Sequence, residues 1–151
     1  MSTDRPTRTG AGPARAAARW LLGTFLIGAG TAHLIAPDAF LGQVPDRLPA
    51  PRAVILVSGV AEIGVGASLV LARRHRRLAG WVTTGLLVAV FPGNIHQAIA
   101  GTDAFGLTTP VARWARLAAQ PLLVLWALWA TGIWPPTTSR RHRVRSRPPR
   151  G

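Results

Sequence analysis

Apolar residues are collected into four long blocks along the chain, separated by short polar segments. A helix rises 1.5 Å per residue, so roughly 20 apolar residues are needed to cross a hydrocarbon core about 30 Å thick. A soluble helix of this length would carry a polar stripe along one face, and these blocks do not. The pattern predicts an all-α protein, an integral membrane four-helix bundle, with helices at about residues 16–36, 53–72, 78–100 and 111–134.

Prolines mark the ends and bends of these helices. Pro37 disfavours α geometry in the preceding residue, so helix one is expected to end near Ala36. The loop 37–51 contains four prolines and should be stiff. Pro92 should kink helix three and free a carbonyl one turn earlier. Pro135 and the proline after it should end helix four.

The chain has 151 residues, which is room for one domain. We expect that domain at residues 16–134, between two disordered tails: a basic one at residues 1–15 and an Arg- and Pro-rich one at residues 135–151. The first apolar block also has features of a signal peptide. Cleavage would leave three spans, so we interpret this block as a retained helix.

The charge distribution predicts an orientation. The net charge is +13, and all 18 basic residues are arginines. Fourteen of these 18 lie before or at the very start of the first apolar block, between the second and third, or after the fourth. Basic residues favour the cytoplasmic side of a membrane, so both termini are predicted to be cytoplasmic in a multi-pass inner-membrane protein.

The same arginines bear on partners. Near a lipid bilayer they should attract anionic headgroups, at about 1 kcal/mol per charge. An RNA-binding role for the tail 139–151 is the alternative, but a topology anchor explains it better, so we expect no nucleic acid partner. The chain has no cysteine, which excludes disulfides, thiolate metal sites and a thiol relay.

Glu62 is the only acidic residue inside an apolar block. A carboxylate in a membrane segment costs several kcal/mol unless it is paired, hydrated or protonated. It lies ten residues from the start of helix two, about 15 Å deep from the outer side. Strongly polar residues of the other helices reach the same outer half, and Ser58 lies one turn away from Glu62. The candidate cluster is Ser58, Glu62, His33, Asn94, His96, Gln97 and Gln120.

Three roles fit this cluster, and the residues alone leave them open. It can be a structural network that fixes helix packing. It can be a proton-handling pocket, in which Glu62, His33 and His96 exchange protons while Ser58, Asn94, Gln97 and Gln120 bind a ligand such as a quinone headgroup. The third role is a metal or haem site, since two histidines and a carboxylate form a known ligand set. No local ligand spacing supports the third role, so we assign no metal ligands.

A faint internal repeat is visible. The series Trp20, His33 and Asp38-Ala-Phe40 is echoed by Trp81, His96 and Asp103-Ala-Phe105. Two tandem helix pairs of the same orientation would produce such an echo.

Four motifs resemble the DoxX-like family of small four-helix membrane proteins, over roughly residues 20–134. They are Gly30-Thr-Ala-His33-Leu-Ile-Ala-Pro37, Val44-Pro45 with Leu48-Pro49, Leu56-Val-Ser58-Gly59-Val-Ala-Glu62-Ile-Gly-Val-Gly66, and Val90-Phe-Pro92-Gly-Asn94-Ile-His96. Gly93 stands where relatives commonly have a residue such as Ala.

The resemblance implies the membrane bundle and places His33, Glu62, Pro92, Asn94 and His96 at matching positions. The family takes its name from a subunit of a thiosulfate:quinone oxidoreductase. We therefore expect a redox-linked, quinone-interacting subunit with a membrane or soluble redox partner protein. The alternative is a non-catalytic scaffold or assembly factor. Whether the protein is an enzyme, and whether it forms a homo-oligomer, stay open at this point.

Overall fold

The computed structural model describes residues 11–71 and 74–136, and every regular element in them is helical. This confirms the all-α prediction. The helices are α1 (Ala11–Ile35), a short 3₁₀ helix (Pro37–Gln43), α2 (Pro51–Leu71), α3 (Arg76–Ala100) and α4 (Pro110–Ala130).

Two helix ends differ from the prediction. Residues 11–15 were expected in a disordered tail, but they form the first turn of α1. Helix α4 ends at Ala130 rather than 134, because Gly132 adopts a left-handed φ of 75°. The amides of Ile133 and Trp134 then donate to the Leu128 carbonyl at 2.9 and 3.1 Å, which caps the helix. The rest of both predicted tails, 1–10 and 137–151, lies outside the described residues.

Among the described residues, α2 and α3 are long and apolar enough to cross a membrane. A third candidate is α1 together with the 3₁₀ helix, although the pair is bent by 103°. Helix α4 is not among the candidates, since its first half contains Arg113, Arg116 and Gln120. By length and composition, two to three helices could therefore span a bilayer.

Helices α1 and α2 pack very closely because glycines face each other at two levels. Gly23 lies opposite Gly66, and Gly30 lies opposite Gly59. A Cβ atom on Gly59 would lie 2.8 Å from the Gly30 carbonyl oxygen, and one on Gly23 would lie 2.8 Å from that of Gly66. Small residues at these positions let two backbones approach, as is common in membrane helix pairs.

The remaining helices pack around this pair through an apolar core. Leu22 and Leu26 of α1 contact a cluster that includes Leu69 of α2 and Leu87 of α3. The indole N–H of Trp126 in α4 donates to the Ala18 carbonyl in α1 at 3.1 Å. All four long helices also expose large apolar side chains on their outer faces.

The loop end of the bundle is the end where segments 36–50 and 101–109 lie. These two segments contact each other directly. Phe40 stacks on Phe105 with ring centroids 4.8 Å apart, and the Phe105 amide donates to the Ala39 carbonyl at 2.7 Å. The Thr102 hydroxyl donates to the Gly42 carbonyl. The two halves of the sequence echo at Phe40 and Phe105 thus meet in space.

Candidate functional site

A cavity of about 880 Å³ lies between the four long helices, close to the loop end. Most of its wall is apolar. Polar side chains reach it from α1, α2, α3, α4 and the 3₁₀ helix, and they are Thr24, His33, Gln43, Ser58, Glu62, Asn94, Arg116 and Gln120.

The wall formed by α1 and α2 carries a histidine–carboxylate pair. His33 Nδ1 lies 3.2 Å from Glu62 Oε2, and Ser58 Oγ donates to Glu62 Oε1 at 3.3 Å. Each of the two paired residues is 8% exposed. Gly30 and Gly59 lie one turn before the pair, and a Cβ on Gly59 would sit 2.8 Å from the His33 Cβ. The close glycine contact is therefore what brings the imidazole to the carboxylate.

This pair is incompletely hydrogen-bonded. Neither His33 Nδ1 nor Glu62 Oε2 makes a hydrogen bond of ordinary geometry among the described residues, although both atoms are buried. The same is true of the amide nitrogen Nε2 of Gln43. Buried polar atoms usually have partners, and leaving one without costs about 1–3 kcal/mol. These three atoms belong to residues that line one cavity, and the His33 and Glu62 atoms face each other at 3.2 Å.

Arg116 brings a positive charge to the same cavity. Its Nη2 donates to Oε1 of Gln43 at 2.9 Å, which links α4 to the 3₁₀ helix. Arg116 and Glu62 both line this cavity. The cavity thus combines a carboxylate, an imidazole and a guanidinium.

The opposite wall carries an amide pair that is hydrogen-bonded within the protein. Asn94 Nδ2 donates to Gln120 Oε1 at 3.0 Å, and Gln120 Nε2 donates to the Leu87 carbonyl at 2.7 Å. Pro92 removes the N–H that would bond the Val88 carbonyl, so Gln120 binds α3 beside the turn that Pro92 disturbs. This pair joins α3 to α4.

Two predicted site residues lie elsewhere. Gln97 is 1% exposed, and its amide donates to the Ala104 carbonyl at 3.5 Å, so it holds the 101–109 segment rather than lining the cavity. His96 is half-buried and does not line the cavity either. It follows Asn94 by two residues, which is about 200° around a helix.

The separation of His96 from His33 also bears on metal binding. Among residues 11–71 and 74–136, no three His, Cys, Asp or Glu side chains come together in a way that could hold a metal ion. The set of two histidines and Glu62 is therefore not assembled at this cavity.

Three residues of the site were not among the predicted ones. They are Arg116, Gln43 and Phe40, whose ring centroid lies 4.1 Å from that of His33. Arg116 could have been predicted from the sequence, since it precedes Gln120 by one helical turn and lies on the same face of the helix. Gln43 could not, because its position depends on how the loop folds over the bundle.

The arrangement can bind a carbonyl-bearing ring and move a proton. The Arg116 and Gln43 nitrogens are donors for a carbonyl oxygen, and an imidazole beside a carboxylate is a common arrangement for proton transfer. The apolar walls suit an apolar body attached to such a head.

Comparisons with known proteins give one result. Neither a curated protein nor a solved structure matches this chain. The DUF8561 family, described as a domain of unknown function, matches residues 22–131. That stretch contains every residue of the cavity wall and most of the chain. This chain belongs to the DUF8561 family.

Proposed function

We propose that this protein is a four-span protein of the inner membrane, of the DoxX-like type, with both termini in the cytoplasm. The exposed apolar side chains on every long helix support embedding in lipid. In this orientation the loop end lies in the outer half of the membrane, because the arginines outside the helices concentrate at the other end and in the tails.

Helix α4 is not among the candidate spans by length and composition, and its two faces explain why it can still be one. Arg113 and Gln120 are buried and Arg116 is half-buried, so the polar groups point inward. The outer face carries exposed apolar residues, which are Val111, Trp114, Leu122 and Leu125. An inward polar face and an outward apolar face are what a membrane bundle with a polar interior requires.

The cavity, in this proposal, binds the headgroup of a quinone. The observation that carries it is the His33–Glu62 pair, with unpartnered buried atoms, at the wall of an otherwise apolar cavity of about 880 Å³. A quinone headgroup offers two carbonyl oxygens to donors such as Arg116 and Gln43. Its reduction to a quinol takes up two protons and two electrons.

The chain's own residues would handle the protons, and a partner would handle the electrons. Glu62 and His33 are placed to deliver a proton to a carbonyl oxygen in the cavity. The electrons would come from a membrane or soluble redox partner protein. The protein is thus a quinone-interacting subunit rather than a complete oxidoreductase.

Binding of a quinone to the purified full chain in detergent tests this proposal. Glu62→Gln keeps the shape of the side chain and removes its charge, so we expect affinity for a quinone to fall by about tenfold or more, which is about 1.4 kcal/mol or more. Asp38→Asn is the matched control, because Asp38 is an exposed carboxylate at the loop end that pairs with Arg52. Equal affinity in wild type and Glu62→Gln, with helical content retained, would reject the quinone site.

A second candidate is a non-catalytic scaffold, and the Asn94–Gln120 pair favours it. Its amides bond each other and the Leu87 carbonyl, as a purely structural network would. The scaffold reading expects wild-type protein to bind no quinone, and Glu62→Gln to lower protein accumulation instead.

A further inference from the structure

The cavity has an opening halfway along two helices. Most residues that line the cavity are buried or half-buried. The exposed ones are Phe105 at the loop end and a group near the middle of α1 and α4. That group is Thr24, Phe25, Gly28, Ala115 and Ala119.

Helix α1 packs closely against α2, but it leaves open space at Gly28, on the side of the cavity wall. At Gly28, a Cβ atom would meet no described atom within 4 Å. At Gly30, two residues later and facing α2, a Cβ would lie 2.9 Å from a side-chain carbon of Ile63. The lining residues of α4 that are exposed, Ala115 and Ala119, carry small side chains.

The polar end of the cavity is covered by aromatic rings. Phe40 is 4% exposed, and its ring contacts both the His33 ring and the Phe105 ring. Unpartnered polar atoms of His33 and Glu62 thus lie under this cover, while the gap at Gly28 lies farther along α1. Thr24 and His33 are nine residues apart, about 13 Å along the helix.

We infer that the α1–α4 gap is a lateral portal, and that the ligand is an amphiphile whose apolar tail leaves the cavity through it. The head lies at His33 and Glu62, and the tail passes Gly28 and Ala119. If the helices span the membrane, this gap opens into hydrocarbon, so the ligand is exchanged with the bilayer rather than with water. This inference rests on the proposed function, because it assumes a ligand in the same cavity.

Closing the portal tests the inference. The variant Gly28→Leu/Ala119→Leu fills the gap from both sides, whereas Gly85→Leu adds the same side chain at an exposed glycine of α3 with no described atom within 4 Å of its Cβ. The two probes are a benzoquinone with a ten-carbon tail and the same ring without a tail. Binding of each is measured with purified full chain in detergent.

The portal variant should bind the tailed quinone about tenfold more weakly than wild type and the tailless ring within about twofold, while Gly85→Leu changes neither. Unchanged binding of the tailed probe, or an equal loss of both probes, overturns the portal and leaves the quinone site standing. Wild type that binds neither probe overturns both proposals.

A wild-type comparison keeps the inference testable if the portal variant does not fold. A tail that lies in the portal buries apolar surface, so wild type should bind the tailed probe about tenfold or more tightly than the tailless ring. Equal affinities for the two probes overturn the inference.

Discussion

Two pairs of buried polar side chains cross the same bundle, and they are built differently. In the Asn94–Gln120 pair, the side chains bond each other and the Leu87 carbonyl. In the His33–Glu62 pair, the two facing atoms approach to 3.2 Å without a hydrogen bond of ordinary geometry. Both pairs border one cavity. At this cavity the two pairs therefore differ in whether their facing atoms are hydrogen-bonded, and not in burial.

The two pairs also join their helices by different means. Asn94 and Gln120 are themselves the polar link between α3 and α4. The α1–α2 contact is made by facing glycines, and His33 and Glu62 are brought together as a consequence. We therefore expect the amide pair to matter for stability and the histidine–carboxylate pair to matter for binding.

The largest effect is expected where the glycine contact is filled. Gly59→Ala places a Cβ 2.8 Å from both the Gly30 carbonyl oxygen and the His33 Cβ, so α1 and α2 must separate. Overpacking of this kind costs about 1–3 kcal/mol. Chemical unfolding in detergent measures the loss, and quinone binding should fall with it.

Gly64→Ala is the control for that experiment, because it lies on the same helix and a Cβ there would meet no described atom within 4 Å. A Gly59→Ala protein as stable as the Gly64→Ala protein would show that the glycine contact does not set the α1–α2 distance.

Removing one amide should have the next largest effect. Gln120→Leu leaves the buried Asn94 amide without its partner, at a cost of about 1–3 kcal/mol in the free energy of unfolding. The double change Asn94→Leu/Gln120→Leu should cost less than the sum of the single changes, because the partners are removed together. Additive costs in this double-mutant cycle would contradict a mutual Asn94–Gln120 bond.

The sequence predicted the fold more completely than it predicted the site. Periodicity and hydropathy predicted α2 and α3 to within about two residues at most ends, because these blocks have clear apolar limits. The end of α4 was missed because Gly132, and not the later prolines, supplies the left-handed residue. The start of α1 was missed because residues 11–15 are small and basic, which resembles a tail.

The site residues were predicted from their depth in the membrane. Depth does not determine the direction in which a side chain points from its helix. Ser58 and Glu62 share a face by their spacing, so their contact could be predicted. Gln120 and Asn94 meet only through the relative rotation of α3 and α4, which the spacing of residues within either helix does not give. His96 has the right depth but the wrong direction, and no pattern in the chain distinguishes it from Asn94.

Removing the charge of Glu62 should affect stability less than removing an amide. A glutamine of the same shape can still accept from the Ser58 hydroxyl, and an imidazole does not have to carry a charge, so this variant need not bury an unpaired ion. We expect Glu62→Gln to shift the free energy of unfolding by less than about 1 kcal/mol. Denaturant unfolding of this variant beside Gln120→Leu gives the comparison directly, and a larger loss for Glu62→Gln would make His33–Glu62 the structural pair.

The smallest effect is expected at His96. It is half-buried and lies outside the cavity, so His96→Gln should leave quinone affinity within about twofold of wild type and stability within about 0.5 kcal/mol. His33→Gln is the matched change at the other histidine, and it should lower affinity about tenfold, since His33 Nδ1 lies 3.2 Å from Glu62 Oε2. Equal losses for the two variants would return His96 to the site and imply that both histidines act on the ligand. A loss of affinity confined to His33→Gln would show that quinone binding depends on the His33–Glu62 pair. A histidine at the same depth in the membrane, such as His96, would then not be sufficient.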